Sequence, residues 1–415
     1  MHAVVVGGGV AGPAVAVGLV RAGWSVDLLE ARRPDDGGGA FLVLAPNGVH
    51  ALRALGLGEV VQRAGGKVLG GLVMRNAGGR TIGRVDHDGE LERYGARSHL
   101  LVREGLTAAL RHEAAAAGVR LRFGARVAGV RQQALSATVR TEDGTELDAD
   151  VVVGADGVRS RVREAVLTAS GEVGPQPRWA GLLDVGGVTR VDLPDTVQQL
   201  VFGRRAFFGV VVRDGLAYWF SNLPRPAAPS REELAATSHA AWLDLLRAEH
   251  AGDPDPVGAV LAAARPQDVA GVWPVHDLPP LPTWHLGRTC LVGDAAHAVA
   301  PSAGQGASLA LEDAAVLARC IAADTTPMLA AARYEALRKA RAEKVVALGR
   351  RLSSPKAPGP VGARFRDLFL PLGLRLGTRD AVTLQSYRAG EVDLGPHPAA
   401  VTTAAPHPRG EWRGQ

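Results

Sequence analysis

The stretch HAVVVGGGVAGPAVAVGLVRAGWSVDLLEAR, residues 2–32, decides the fold. It opens with a short β-branched strand, turns through Gly7-Gly8-Gly9-Val10-Ala11-Gly12, continues as an Ala/Val/Leu helix, breaks at Gly23 and closes on a second strand that ends at Glu30. The glycines follow the spacing G-x-G-x-x-G: Gly7 permits a tight turn, Gly9 lets backbone approach a pyrophosphate, and Gly12 lets helix and strand pack closely. Around Val10 and Ala11 the helix begins, and its unpaired N–H groups and dipole favour phosphate charge there. Glu30 lies roughly twenty residues past the glycines, placed to accept hydrogen bonds from an adenosine ribose, with Ala31 and Arg32 behind it. An acid at this position discourages a 2′-phosphate, and NAD and FAD both fit. The reading is an α/β chain with a Rossmann-like dinucleotide-binding sheet.

Composition narrows the class. A chain of 415 residues, 47% hydrophobic and 21% charged, has room for two cores. The net charge of +5 comes from arginines scattered along the chain and never gathered into a run, which argues against nucleic acid. Cys290 and Cys320 have neither disulfide nor metal spacing and read as small core residues. Ala3 to Val20 is uncharged but holds five glycines and a proline, unsuited to a membrane anchor or a signal peptide. The expectation is a soluble, cytoplasmic protein, a monomer or homodimer with no membrane partner.

Two more strand-to-turn stretches carry chemistry. LDADVVVGADGVRSRVREAV, residues 147–166, is a strand ending in Gly154-Ala155-Asp156-Gly157 before a helix. LVGDAAHAVAPSAGQGASLALEDA, residues 291–314, is an apolar strand ending in Gly293-Asp294, followed by small residues, Pro301, Gly304-Gln305-Gly306 and a helix from about Ala307. With the N-terminal glycines these resemble, in the same order, three motifs of the group A FAD-dependent monooxygenases, the para-hydroxybenzoate hydroxylase-like aromatic hydroxylases. The resemblance covers most of residues 1–350. It implies bound FAD, with Gly293 and Asp294 at the ribityl chain, and Pro301, Gly304, Gln305, Gly306 and Ala307 beside the isoalloxazine. The helix after them then aims its positive end at a ring that gathers negative charge on reduction. The resemblance also implies that Arg103, in HLLVREGLTAAL (99–110), reaches the pyrophosphate or ribityl region, and that Asp156 bears on the pyrophosphate and on reductant use. His297 is expected to pack the loop rather than carry a proton.

The same resemblance implies a discontinuous FAD-binding domain over 1–70, 97–167 and 276–350. An inserted β-sheet substrate domain takes 71–96 and 168–275, followed by C-terminal helices over 351–390 and a flexible tail over 391–415. Within the insertions Asn76-Ala77-Gly78-Gly79 and Asp214-Gly215 read as hairpin turns, and AATSHAAWLDLLRAEH (235–250) reads as an amphipathic helix. Strand alternation puts Tyr218, Phe220 and Asn222 on one side and Ala217, Trp219 and Ser221 on the other, without saying which side meets the flavin. Tyr218, Phe220, Asn222 and Pro301 are the candidate substrate contacts, and Arg204 or Arg213 would suit an anionic one. The implied chemistry is NAD(P)H acting as transient reductant, O2 as co-substrate, and transfer of one oxygen atom through a C4a-hydroperoxyflavin to an apolar, aromatic or polycyclic small molecule. No catalytic side chain and no metal are expected. The alternatives are a reductase of the geranylgeranyl reductase-like type and a flavin-fold protein that binds ligand without turnover.

Overall fold

The computed structural model describes residues 1–33, 40–353, 362, 365–370 and 378–395. The chain begins with β1 (His2–Val6), α1 (Ala11–Arg21) and β2 (Ser25–Glu30), then β3 (Phe41–Leu44), α2 (Pro46–Ala54), α3 (Val60–Arg63) and β4 (Lys67–Val68). Next come the hairpin β5 (Gly71–Asn76) and β6 (Thr81–Asp86), α4 (Glu90–Tyr94), β7 (His99–Val102), α5 (Arg103–Ala116) and β8 (Arg120–Phe123). A meander of β9 (Val127–Gln132), β10 (Ala137–Thr141) and β11 (Glu146–Ala149) leads to β12 (Val151–Gly154) and α6 (Arg161–Ala169). The strands β13 (Arg178–Arg190), β14 (Gln198–Phe202), β15 (Phe207–Arg213) and β16 (Leu216–Pro224) follow, then α7 (Arg231–Ala236), α8 (His239–Glu249), α9 (Val257–Ala263) and β17 (Val269–Asp277). The chain returns through β18 (His285–Leu286) and β19 (Thr289–Leu291) to α10 (Asp294–His297), α11 (Gly306–Ala323) and α12 (Pro327–Ser353).

Five strands, in the order β19-β12-β1-β2-β8, pair in parallel, with β18 antiparallel at the edge. Ala3, Val4 and Val5 and Val151 to Val153 are fully buried, as expected of parallel strands covered on both faces. Helix α11 packs against α1, α2 and α12. The second sheet runs β17-β13-β16-β15-β14-β5-β6, so strands from both insertions share one sheet. The turn at Asp214-Gly215 has left-handed backbone at both positions, φ +52° and +71°, which only Gly, Asn or Asp accept readily. No helix of the described residues is long and apolar enough to cross a membrane.

The two faces of this sheet meet different partners. Trp219, Phe208, Val210 and Val212 pack under Trp242, Leu246, Val257 and Val260 of α8 and α9. Tyr218 and Val211 point the other way, into a cluster with Phe41, Leu69 and Leu100 of the dinucleotide-binding half. The strand alternation left this orientation undecided, and the apolar faces of α8 and α9 decide it.

Local details depart from the sequence reading. The stretch 235–250 is helical as α8 only from His239, because the Ser238 side chain accepts the Ala241 N–H at 3.2 Å and caps a new helix there. The tail is not loose from 391: Arg319 donates to Val392 O at 2.8 Å, and Arg333 donates to Leu394 O and Gly395 O at 3.0 and 2.9 Å. The rest of the expected tail, 396–415, lies outside the described residues.

Trp219 is fully buried, stacks on Phe208 with centroids 6.0 Å apart and donates to Thr189 Oγ1 at 2.9 Å. Trp219→Ala is therefore expected to cost about 3–5 kcal/mol, read from the urea midpoint. Phe220→Ala, on the opposite and half-exposed face, should cost clearly less.

Candidate functional site

The three glycine turns meet at the carboxyl ends of β1, β12 and β19. Gly7 adopts φ +105°, and a Cβ there would overlap the Ala155 carbonyl and come within 2.9 Å of Asp156 Cα. A Cβ on Gly12 would overlap the Gly7 carbonyl oxygen, so α1 seats on β1 only because that side chain is missing. Gly293, at φ +58°, lies between α1 and α11, with the Cβ atoms of Ala11 and Ala310 each 3.3 Å from where its own would stand. Residues 7, 155 and 293 are thus parts of one surface, at the strand ends where open α/β sheets bind ligands.

That surface is built to receive an anion and a polar chain. Among the described residues, nothing lies within 4 Å of a Cβ placed on Gly9 or Gly304. Helix α1, entered at Val10, and helix α11, entered at Gln305 and opening with Gly306 and Ala307, have no side-chain cap and no acid in their first turns. By contrast α6 and α8 are capped by Ser160 and Ser238. An uncapped start leaves N–H groups unpaired and the positive dipole end open. Asp294 is half-buried, and its carboxylate makes no hydrogen bond or ion pair among the described residues.

Around this centre Glu30 Oε2 accepts the Gly8 N–H at 2.6 Å and its Oε1 accepts the Arg32 N–H at 2.8 Å. Ala31 is half-buried and Arg32 exposed. Arg111 of α5, which the sequence did not single out, donates to the Gly8 carbonyl at 2.7 Å and approaches Glu30 at 3.6 Å. Arg103 opens α5 with an exposed side chain while its N–H donates to Ala40 O at 3.2 Å. Asp156 directs its carboxylate to α6, accepting from Ser160 Oγ at 2.5 Å, Arg161 N at 2.7 Å and Val162 N at 3.2 Å. Burial raises this carboxyl against the pull of those donors. Arg213 is spent on the carbonyls of Thr196 and Val212, and Arg204 is exposed.

Beneath the turns lies a buried charge network that was not legible in the sequence. Asp313 of α11 accepts the Gly293 N–H at 2.9 Å, His297 Nε2 at 2.5 Å and Arg338 Nε at 2.8 Å. Its neighbour Glu312 meets Arg338 at 2.7 Å and Arg341 at 2.8 Å, and accepts Asn47 Nδ2 at 2.7 Å. The same Asn47 amide donates to Gln305 Oε1 at 2.9 Å. Glu312, Asp313, Arg338 and Asn47 are all completely buried. Burial alone would raise the Asp313 carboxyl, but His297, Arg338 and the Gly293 N–H overcome it and hold it at about 2. Burial likewise works to lower the His297 imidazole, and the Asp313 charge prevails and raises it. His297 is therefore a packed, ion-paired support of the turn.

On the sheet, Pro301 is exposed at the loop tip while Ala300 packs on Leu182 and Val275 of β13 and β17. Phe41 bridges the two halves, 5.7 Å from Phe220 and 6.4 Å from Tyr218 between centroids. Tyr218 is core, 7% exposed, whereas Phe220 is half-exposed. Asn222 is buried and donates to Asp184 Oδ1 at 2.9 Å. Phe207 and Asp184 lie opposite Asn222 in register and share its face.

An open cradle over Gly9, two bare helix starts and a half-buried acceptor at Asp294 fit a dinucleotide carrying a pyrophosphate and a hydroxylated chain, which places the protein among the flavin dinucleotide-binding α/β proteins. A family model described as an FAD binding domain matches residues 1–251 and 257–348. The chain is 33% identical over 350 residues to the aurachin C monooxygenase/isomerase of Stigmatella aurantiaca, covering 83% of this chain and 86% of that protein. It is 32% identical to a 3-amino-4-hydroxybenzoate 2-monooxygenase of Streptomyces platensis, over 94% of this chain and 96% of the relative. Among solved structures, Klebsiella pneumoniae HpxO complexed with FAD and uric acid superposes with a TM-score of 0.80 at 27% identity, over 94% of this chain and 96% of that one. The chain belongs to this FAD-binding family and is a group A FAD-dependent monooxygenase.

The network sets a pH dependence. Asp313 is held below its ordinary 3.8, so its share of stability, on the order of 2 kcal/mol, is present above that value and lost as pH falls from about 4 to about 2. His297 is raised, so its share is complete below its ordinary 6.5 and lost as pH climbs through the raised value. Asp313→Asn is expected to cost about 3–5 kcal/mol at neutral pH, by leaving buried cations without their partner, and to flatten the acid limb of a circular-dichroism pH titration.

Proposed function

We propose that this monooxygenase consumes NAD(P)H and O2 and places one oxygen atom on an apolar aromatic or polycyclic small molecule, by hydroxylation or epoxidation. The observation that carries the reading is the meeting of the three glycine turns at one set of strand ends, with the loop after Gly293 packed through Ala300 on β13 and β17 of the second sheet. Bound FAD supplies the electron transfer and the activation of dioxygen. The residues of this chain bind, orient and exclude water.

The Gly7–Gly12 turn, through Val10 and Ala11, and the start of α1 would hold the pyrophosphate, with Glu30, Ala31 and Arg32 at the adenosine end. Asp294, beside Gly293, would accept from the ribityl hydroxyls, and Arg103 and Asp156 would stand at the phosphate side. Gly304, Gln305, Gly306 and Ala307 would lie along the ring, with the start of α11 favouring the negative charge that collects there. No protein nucleophile is required.

Substrate would lie between the Pro301 loop and the sheet face that carries Phe220, with Phe41 of β3 packed beside it. Ring faces of this kind hold an aromatic ligand by area and by edge contacts. Asp184 and Asn222 are the polar fixtures on that face, suited to a ligand bearing N–H or O–H groups. Relatives named for 3-amino-4-hydroxybenzoate and urate support this ligand class.

The purified protein is expected to be yellow and to oxidise NADH or NADPH faster when an accepted aromatic is added, with one atom of labelled O2 appearing in the product. Substrate reduction without label would establish a reductase, and binding without any oxidation would establish a ligand carrier. Asp294→Ala removes one charged acceptor and is expected to weaken FAD binding about 10- to 100-fold in a fluorescence titration. Phe220→Ala is expected to raise KM several-fold with a smaller change in kcat.

A further inference from the structure

Below the Gly293–His297 turn a cavity of about 10 Å³ opens against Trp284, His297 and Glu343, walled on its apolar side by Leu278, Leu281 and Val346. Three polar atoms are buried there without a partner among the described residues: Trp284 Nε1, His297 Nδ1 and Glu343 Oε1. An indole N–H can only donate, and a carboxylate oxygen can only accept. The imidazole lines the same cavity, its ring centroid 5.1 Å from that of Trp284. Glu343 belongs to α12, the helix that also supplies Arg338 to Asp313.

A space of this size holds one water molecule, and buried waters sit where two to four polar groups converge. We propose that one internal water occupies this cavity, accepts from Trp284 Nε1 and His297 Nδ1 and donates to Glu343 Oε1, making Glu343 a positioning residue for the turn that carries Asp294. With Nδ1 donating to the water and Nε2 donating to Asp313, both ring nitrogens of His297 keep their protons and the imidazole stands as a cation. The groups facing it are Asp313 from α11, Arg338 and Glu343 from α12, and Asp294 from its own turn. The ring is fixed at both edges, and the turn follows it, since the His297 N–H donates to the Gly293 carbonyl at 2.9 Å. A ring held at Nε2 alone could rotate about that bond.

The link to flavin rests on the reading of Asp294 as a cofactor contact, and the test separates the two. Nitrogen-15 spectra of the wild-type holoprotein should show His297 protonated at both nitrogens from pH 6 to 8, with a Nδ1 proton slow to exchange with solvent. A neutral His297 over that range overturns the proposal, whatever happens to FAD. Glu343→Leu removes the acceptor and fills part of the cavity. The Nδ1 proton of His297 should then exchange quickly with solvent, although Asp313 still holds Nε2, and FAD affinity should fall about 3- to 10-fold, while Glu343→Gln, which keeps an acceptor, stays within about 2-fold of wild type. Unchanged His297 spectra in Glu343→Leu also overturn the proposal. A His297 that responds while FAD affinity stays put keeps the water and removes the positioning role.

Discussion

The structure depends on the pairing of two adjacent buried carboxylates, Glu312 and Asp313, with Arg338 and Arg341 across the α11–α12 contact. Charges taken wholly out of water cost free energy that their mutual attraction does not always recover. Such an arrangement stabilises less than an apolar contact of the same volume could. What it adds is direction: Asp313 fixes the Gly293 turn and His297, while Glu312 acts through Asn47 on Gln305. Two loops that flank the same open surface, separated in sequence by the small residues 295–304, are thereby tied to one pair of helices. Glycine and alanine loops have little side chain of their own to hold them in place.

The N-terminal unit was legible because its chemistry is local. A strand, a glycine turn and a helix within residues 2–30 need no distant partner to be read, and Gly7 and Gly12 sit where any Cβ would collide with backbone. The Asp214-Gly215 hairpin was legible for the same reason. The orientation of β16 was not, because a period of two names the two faces without ranking them. Trp219 went to the α8–α9 side since those helices bring Trp242 and Leu246.

The charge network and Arg111 escaped for a further reason. Acids and arginines on helices usually face solvent, so spacing alone gives no sign of burial. One signal was available: Glu312-Asp313 interrupts ASLALEDAAVLA, an apolar helix all round, where a charge pair must find buried partners. Arg338 lies 25 residues from Asp313 in sequence, and nothing local connects the two. Nor did the spacing show that the Asp156 carboxylate joins Ser160 in capping α6 while its backbone touches the Gly7 turn.

The division of labour that results is simple in physical terms. In the proposed reading, backbone and helix ends would meet the cofactor and an aromatic face the substrate, while the buried ionic frame of Glu312, Asp313 and Arg338 ties the Gly293 turn to α11 and α12. A crystal structure of the protein purified with its flavin tests this most directly. The account predicts density for FAD running from Glu30 across Gly9 to the Gly304–Ala307 turn, with the ring facing Phe41 and Phe220. Density for flavin elsewhere, or a protein that crystallises colourless after soaking in FAD with these turns unchanged, would contradict it.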